Sequence, residues 1–132
     1  MKKNLRYCLG IFLLSTVGCG YRQDVISRRS FPLLSTEERA RIHDLSFPLH
    51  SELEKLLSTE KELVISYLTD LSQDALSEHY HTSMEYWGWE ELSRIHAAES
   101  CFIFSKPSKI CAVTVRPEAR QMRVLIFVAS KK

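Results

Sequence analysis

The chain has only four glycines, and they form no Gly-rich loop of the kind that folds backbone N–H groups around a phosphate. It has no HExxH or CxxC pair to fix a zinc ligand set, and no G-x-S-x-G elbow to raise a serine nucleophile. Nor is there a surplus of positive charge. Setting aside Lys2, Lys3 and Arg6 at the extreme N-terminus leaves 15 basic residues against 16 acidic ones, a net charge of −1. A near-neutral domain offers no concentrated basic face to neutralise phosphates, so nucleic acid is not an expected partner. The longest apolar run also falls short of the roughly 20 residues needed to cross a bilayer. What is present is ordinary for one small globular domain: 132 residues, 45% hydrophobic and 26% charged.

That apolar run is informative despite its length. Lys2, Lys3 and Arg6 precede "YCLGIFLLSTV", and a positive end followed by roughly 7 to 15 apolar residues is the layout of a secretory signal. The run stops at Gly18-Cys19-Gly20 and turns polar. "TVGC" resembles the lipobox of bacterial lipoproteins, in which small residues before a cysteine admit a dedicated peptidase. The resemblance covers residues 1–20 and implies that Cys19 accepts a diacylglycerol and becomes the first residue of the mature protein. It also implies an envelope location. Gly20 stands where an Asp would favour inner-membrane retention, so the outer membrane is expected, with the domain facing the periplasm. Two other outcomes stay open: release as a soluble secreted protein after ordinary signal cleavage, and retention on an uncleaved anchor.

The expected organisation is a signal peptide over 1–18, a polar tether over 19–34 and a single small α+β domain over 35–132. Ser35-Thr36-Glu37-Glu38 fits a capping box opening a short helix that ends near Asp44. Ser46 and Pro48 read as another start, with Leu49, Leu53, Leu56 and Leu57 on one helical face. Thr59 and Glu62 read as a third box before Leu63, Val64, Tyr67, Leu68 and Leu71. A shorter helix is expected over 74–79. Beyond Gly88, Trp89, Leu92, Ile95 and His96 suggest a last helix to about Ala98. The period then changes. "SCFIFS", "KICAVTVR" and "QMRVLIFVAS" are rich in β-branched and aromatic residues and predict a three-stranded antiparallel β-meander. Their apolar runs are too continuous for a sheet with one wet face. Both faces are expected to be covered, one by helices and the other by the remaining helices or a partner chain.

Four groups of residues invite a chemical reading. Cys101 and Cys111 sit in an exported domain where a disulfide is permitted. A tight turn at Pro107-Ser108, however, sets Cys111 opposite Phe104, and the readings left open are a disulfide, two buried thiols, or a catalytic cysteine. His79, His81 and His96, with Glu78 and Glu85, have zinc-binding side chains without a diagnostic spacing, and solvated or capping histidines are expected. Tyr80, Tyr86, Trp87 and Trp89 either plug a core or form a stacking platform for a glycan or peptide, with Tyr86, Trp87 and Trp89 as the ligand surface. The many serines match no Ser-His-acid template.

No catalytic residue, metal or cofactor is therefore expected. The leading expectation is a lipid-anchored envelope lipoprotein that works as a non-catalytic accessory or scaffold with an envelope protein partner. The alternative is a glycan or peptidoglycan binding module built on the Trp87/Trp89 region.

Overall fold

In the computed structural model, residues 29–30 and 34–132 are described, so the leader, Cys19 and most of the expected tether lie outside the described residues. Within that range the elements run β1 (Arg29–Ser30), α1 (Thr36–Arg41), β2 (Glu52–Ser58), β3 (Glu62–Thr69), α2 (Gln73–Tyr86), β4 (Glu90–His96), β5 (Ser100–Ser105), β6 (Lys109–Glu118) and β7 (Gln121–Ser130). The strands form one antiparallel sheet in the order β1-β2-β3-β7-β6-β5-β4. The architecture is thus mostly β, with six long strands and two helices among the described residues. This corrects the expected α+β arrangement of several helices followed by a three-stranded meander.

The difference has local causes. The capping box at Ser35 and Glu38 forms with both bonds, 3.2 and 2.8 Å, and starts α1. Thr59 and Glu62 make the same kind of bond for another purpose. Thr59 Oγ1 accepts from the Glu62 N–H at 3.1 Å, but Thr59 N also donates to Glu62 O at 2.8 Å, which closes the β2–β3 hairpin. The side-chain cap of a helix and that of a turn look alike over four residues. Of the leucines read as one helical face, Leu49 precedes β2 and is exposed, while Leu53 and Leu56 turn to the core and Leu57 to the other side of β2, with a bulge between Leu53 and Lys55. Trp89 to His96 enters a strand because β5 offers it a ladder. The helix expected over 74–79 is longer, running from the Ser72 cap to Tyr86.

Leu76, Tyr80 and Met84, four residues apart, form the buried stripe of α2. They meet Ile65 and Tyr67 of β3, Phe102 and Phe104 of β5, Val113 and Val115 of β6, and Val124 and Ile126 of β7 in one core. Strand alternation then sends the intervening residues to the other face. There Val64, Phe127, Ala112 and Ile103 are cross-strand neighbours in one row, and Ser66, Leu125, Thr114 and Cys101 in the next. α2 covers the first face, and Leu34, Ile42 and Leu45 on either side of α1 join the same core. The expectation of two covered faces is met on one side only by the described residues.

Candidate functional site

Three aromatic residues at the end of α2 are the densest signal in the sequence, and the structure divides them. α2 ends at its cap, Trp87, and Gly88 turns the chain with φ +83°, a left-handed conformation that suits glycine. The turn leaves Tyr86 and Trp87 outside, 82% and 43% exposed, and sends Trp89 inside at 3%. Tyr86 and Trp87 meet edge to face, with ring centroids 5.4 Å apart. They line an open cleft of about 590 Å³ together with Leu71, Ser46 and His79. Trp89 belongs to the core, which corrects its assignment to the ligand surface: an indole packed into the core cannot stack on an incoming ring.

Trp89 is instead part of a charged centre. Its Nε1 donates to the backbone carbonyl of Asp44 at 2.9 Å. The Asp44 carboxylate accepts from Lys106 and Lys109, both at 2.9 Å, and the Lys106 ammonium stands 4.9 Å from the Trp89 ring centroid. Burial by itself would raise the Asp44 carboxyl, but the two lysines outweigh it and hold the pKa below the ordinary value of 3.8. The charges in this centre find their partners within the chain, so it clamps the α1–β2 segment to the β5–β6 turn.

The three histidines separate. His81 lies 3.4 Å from Glu91, and His96 bridges Asp74 at 3.4 Å and Ser100 at 2.9 Å. His79 packs edge-on against Tyr80 with centroids 5.1 Å apart, and its buried Nε2 has no partner among the described residues. Desolvation lowers the His79 pKa below 6.5, with the Ser46 backbone opposing the shift. Among the described residues no three His, Cys, Asp or Glu side chains converge as a metal would require.

Cys101 and Cys111 are both free. The β5–β6 register sets Cys111 opposite Phe104 and Cys101 opposite Thr114, so the two thiols point to opposite faces of the sheet and the disulfide is not made. Cys111 is fully buried, and burial pushes its pKa up to about 12, with the nearby Asp44 charge adding to the shift. A thiol held protonated in this way is a poor nucleophile. In the same core lies a pair that sequence reasoning missed: the Tyr67 and Tyr80 hydroxyls hydrogen-bond to each other. Burial raises both of their pKa values. No spacing signals this pair, because Tyr67 and Tyr80 sit on a strand and a helix that meet only in the fold.

Among the described residues no helix is long and apolar enough to cross a membrane. No family model, curated protein or solved structure matches the chain at a significant level.

Proposed function

We propose that the protein is a lipid-anchored lipoprotein of the bacterial envelope, held by Cys19, that works through protein contact rather than catalysis. The observation that supports this reading is the second face of the sheet. Leu57, Leu125, Phe127, Ile110 and Ile95 are all substantially exposed there, although the runs containing Leu125, Phe127 and Ile110 read as doubly buried in the sequence. A contiguous apolar face of this kind marks an interaction surface. Two arms of one experiment test the proposal. Cys19→Ser is expected to abolish lipid labelling and lipoprotein processing, whereas Cys8→Ser leaves both intact. Purification of the anchored wild-type chain from membranes is expected to bring protein down with it. Unmodified Cys19, or recovery of lipid alone, overturns the corresponding half.

A second reading, a glycan or peptidoglycan binding module, draws support from the exposed Tyr86–Trp87 pair beside Glu78 and His79 in one cleft. Stacking on a sugar ring would quench Trp87, so peptidoglycan fragments should titrate the fluorescence of wild-type protein and not of Trp87→Ala. An unchanged wild-type signal rules this reading out.

A further inference from the structure

We infer that the sheet face left open by the described residues is covered by the same face of a second copy of this chain, giving a face-to-face β-sandwich; the inference rests on the reading of that face as a protein-contact surface and names its partner. The register defines the face. One row reads Leu57, Val64, Phe127, Ala112, Ile103 and Ser93 across six strands, and the next reads Lys55, Ser66, Leu125, Thr114, Cys101 and Ile95. Lys55, at one margin, is the only charge in these two rows.

Three observations favour a copy of the chain over a charged surface or a lipid headgroup layer. First, both arginines beside the rows are engaged within the chain: Arg123 with Glu54 at 2.9 Å and Glu118 at 2.7 Å, and Arg116 with Glu99 at 2.9 Å. With two arginines against three glutamates, this rim has no surplus of positive charge to draw in a phosphate layer. Secondly, the face offers its own relief. Phe127 stands beside Ala112 in register, a large side chain next to a small one. A two-fold axis near this pair would seat each Phe127 over the opposing Ala112, the alternation that lets layers interdigitate. Thirdly, the area suffices. Six strands about 4.8 Å apart and three rows about 6.8 Å apart, the third reading Glu62, Ala129, Ile110, Ser105 and Glu90 over five strands, cover roughly 550 Å² in projection. Two copies would therefore bury at least about 1,000 Å², the threshold for a specific interface, with sheets packing about 10 Å apart. The continuity of the apolar runs in β5, β6 and β7 then has its cause: both faces are interior in the assembly.

The native thiol of Cys101 lies on this face and supplies the probe. The full-length chain, carrying two different tags on co-expressed copies, is treated in intact membranes with a bis-maleimide spanning about 15 to 18 Å, since an axis between Phe127 and Ala112 sets the two Cys101 residues three strand spacings apart. A band of doubled mass is expected, absent in Cys101→Ser, together with co-purification of the two tags. Phe127→Lys should reduce both at least tenfold, while Tyr86→Ser, on the helix side, leaves them unchanged. Leu125→Gln, a milder change on the same face, should weaken both and stands in if Phe127→Lys does not fold by circular dichroism. No doubled band and no co-purification in the wild type overturns the second copy; if Phe127→Lys still abolishes capture of another envelope protein, the protein-contact reading stands without it. Association that survives both substitutions also overturns the inference, since the copies would then meet elsewhere.

Discussion

The Trp89 indole N–H donates to the backbone carbonyl of Asp44, 45 residues earlier in the chain, at 2.9 Å. The bond joins the irregular segment after α1 to the start of β4 and caps the core at that end. The same aspartate draws in Lys106 and Lys109. One aspartate thus ties together three parts of the chain, through its carboxylate and its backbone carbonyl.

Asp44→Asn should be destabilising by about 2 kcal/mol, because it leaves two lysines facing a neutral amide in a largely desolvated site. The pH dependence has a definite sign. The folded pKa lies below 3.8, so the stabilisation is present in full above 3.8 and is lost as pH falls through the folded value. Thermal melts of the wild type should steepen in their decline below that pH, and the Asp44→Asn variant should lose part of that slope. A superimposable pair of stability curves would contradict the clamp.

Tyr67→Phe and Tyr80→Phe should each cost about 1 to 3 kcal/mol, since each removes the hydrogen bond between two buried hydroxyls. The double substitution should cost less than the sum of the two, as both singles lose the same hydrogen bond. Denaturant unfolding of the four proteins checks this, and strict additivity would show that the hydroxyls do not depend on each other.

His79 predicts a second acid limb, nearer neutrality. Its folded pKa is below 6.5, so the neutral ring is favoured by folding; stability is highest above 6.5 and falls as the pH drops through the folded value. His79→Leu should flatten the decline of the melting temperature that begins below pH 6.5, while the Asp44 limb persists. An unchanged pH profile in the variant would place the titration elsewhere.

Ala119 has φ +53° in the turn between β6 and β7, where a Cβ is disfavoured. Ala119→Gly should therefore raise stability by about 0.5 to 1 kcal/mol despite the added freedom of the unfolded chain. A lower melting temperature in the glycine variant would show that the turn relaxes around alanine at no cost.

Legibility in the sequence followed the range of the interactions. The Ser35–Glu38 cap is complete within four residues and could be read directly. So could the register of the β5–β6 hairpin, where the short turn sets Cys111 against Phe104. Thr59 and Glu62 misled for the same reason that Ser35 and Glu38 informed: the local hydrogen bond is shared, and only the pairing of Leu63 with Val128 of β7 decides that a strand follows. Leucines at positions 53, 56 and 57 fit a helical face as well as a bulged strand. Of the site residues, Tyr86 and Trp87 do meet at an open cleft, while the Gly88 turn takes Trp89 out of their reach. Asp44 gave no local sign, because its lysines lie 62 and 65 residues further on.

The order of the strands also sets a schedule. β3 ends at Thr69, yet its second partner strand, β7, begins only at Gln121. While the chain is being synthesised, the β2–β3 hairpin and the β4–β5–β6 ribbon can each form, but neither can seal the core until β7 slides between them. Until then both carry an open apolar edge, the condition in which nascent β proteins aggregate or recruit holding chaperones. Ribosome-bound chains halted before residue 121 should therefore remain protease-sensitive throughout, and resistance should arrive in a single step once the last strand is free.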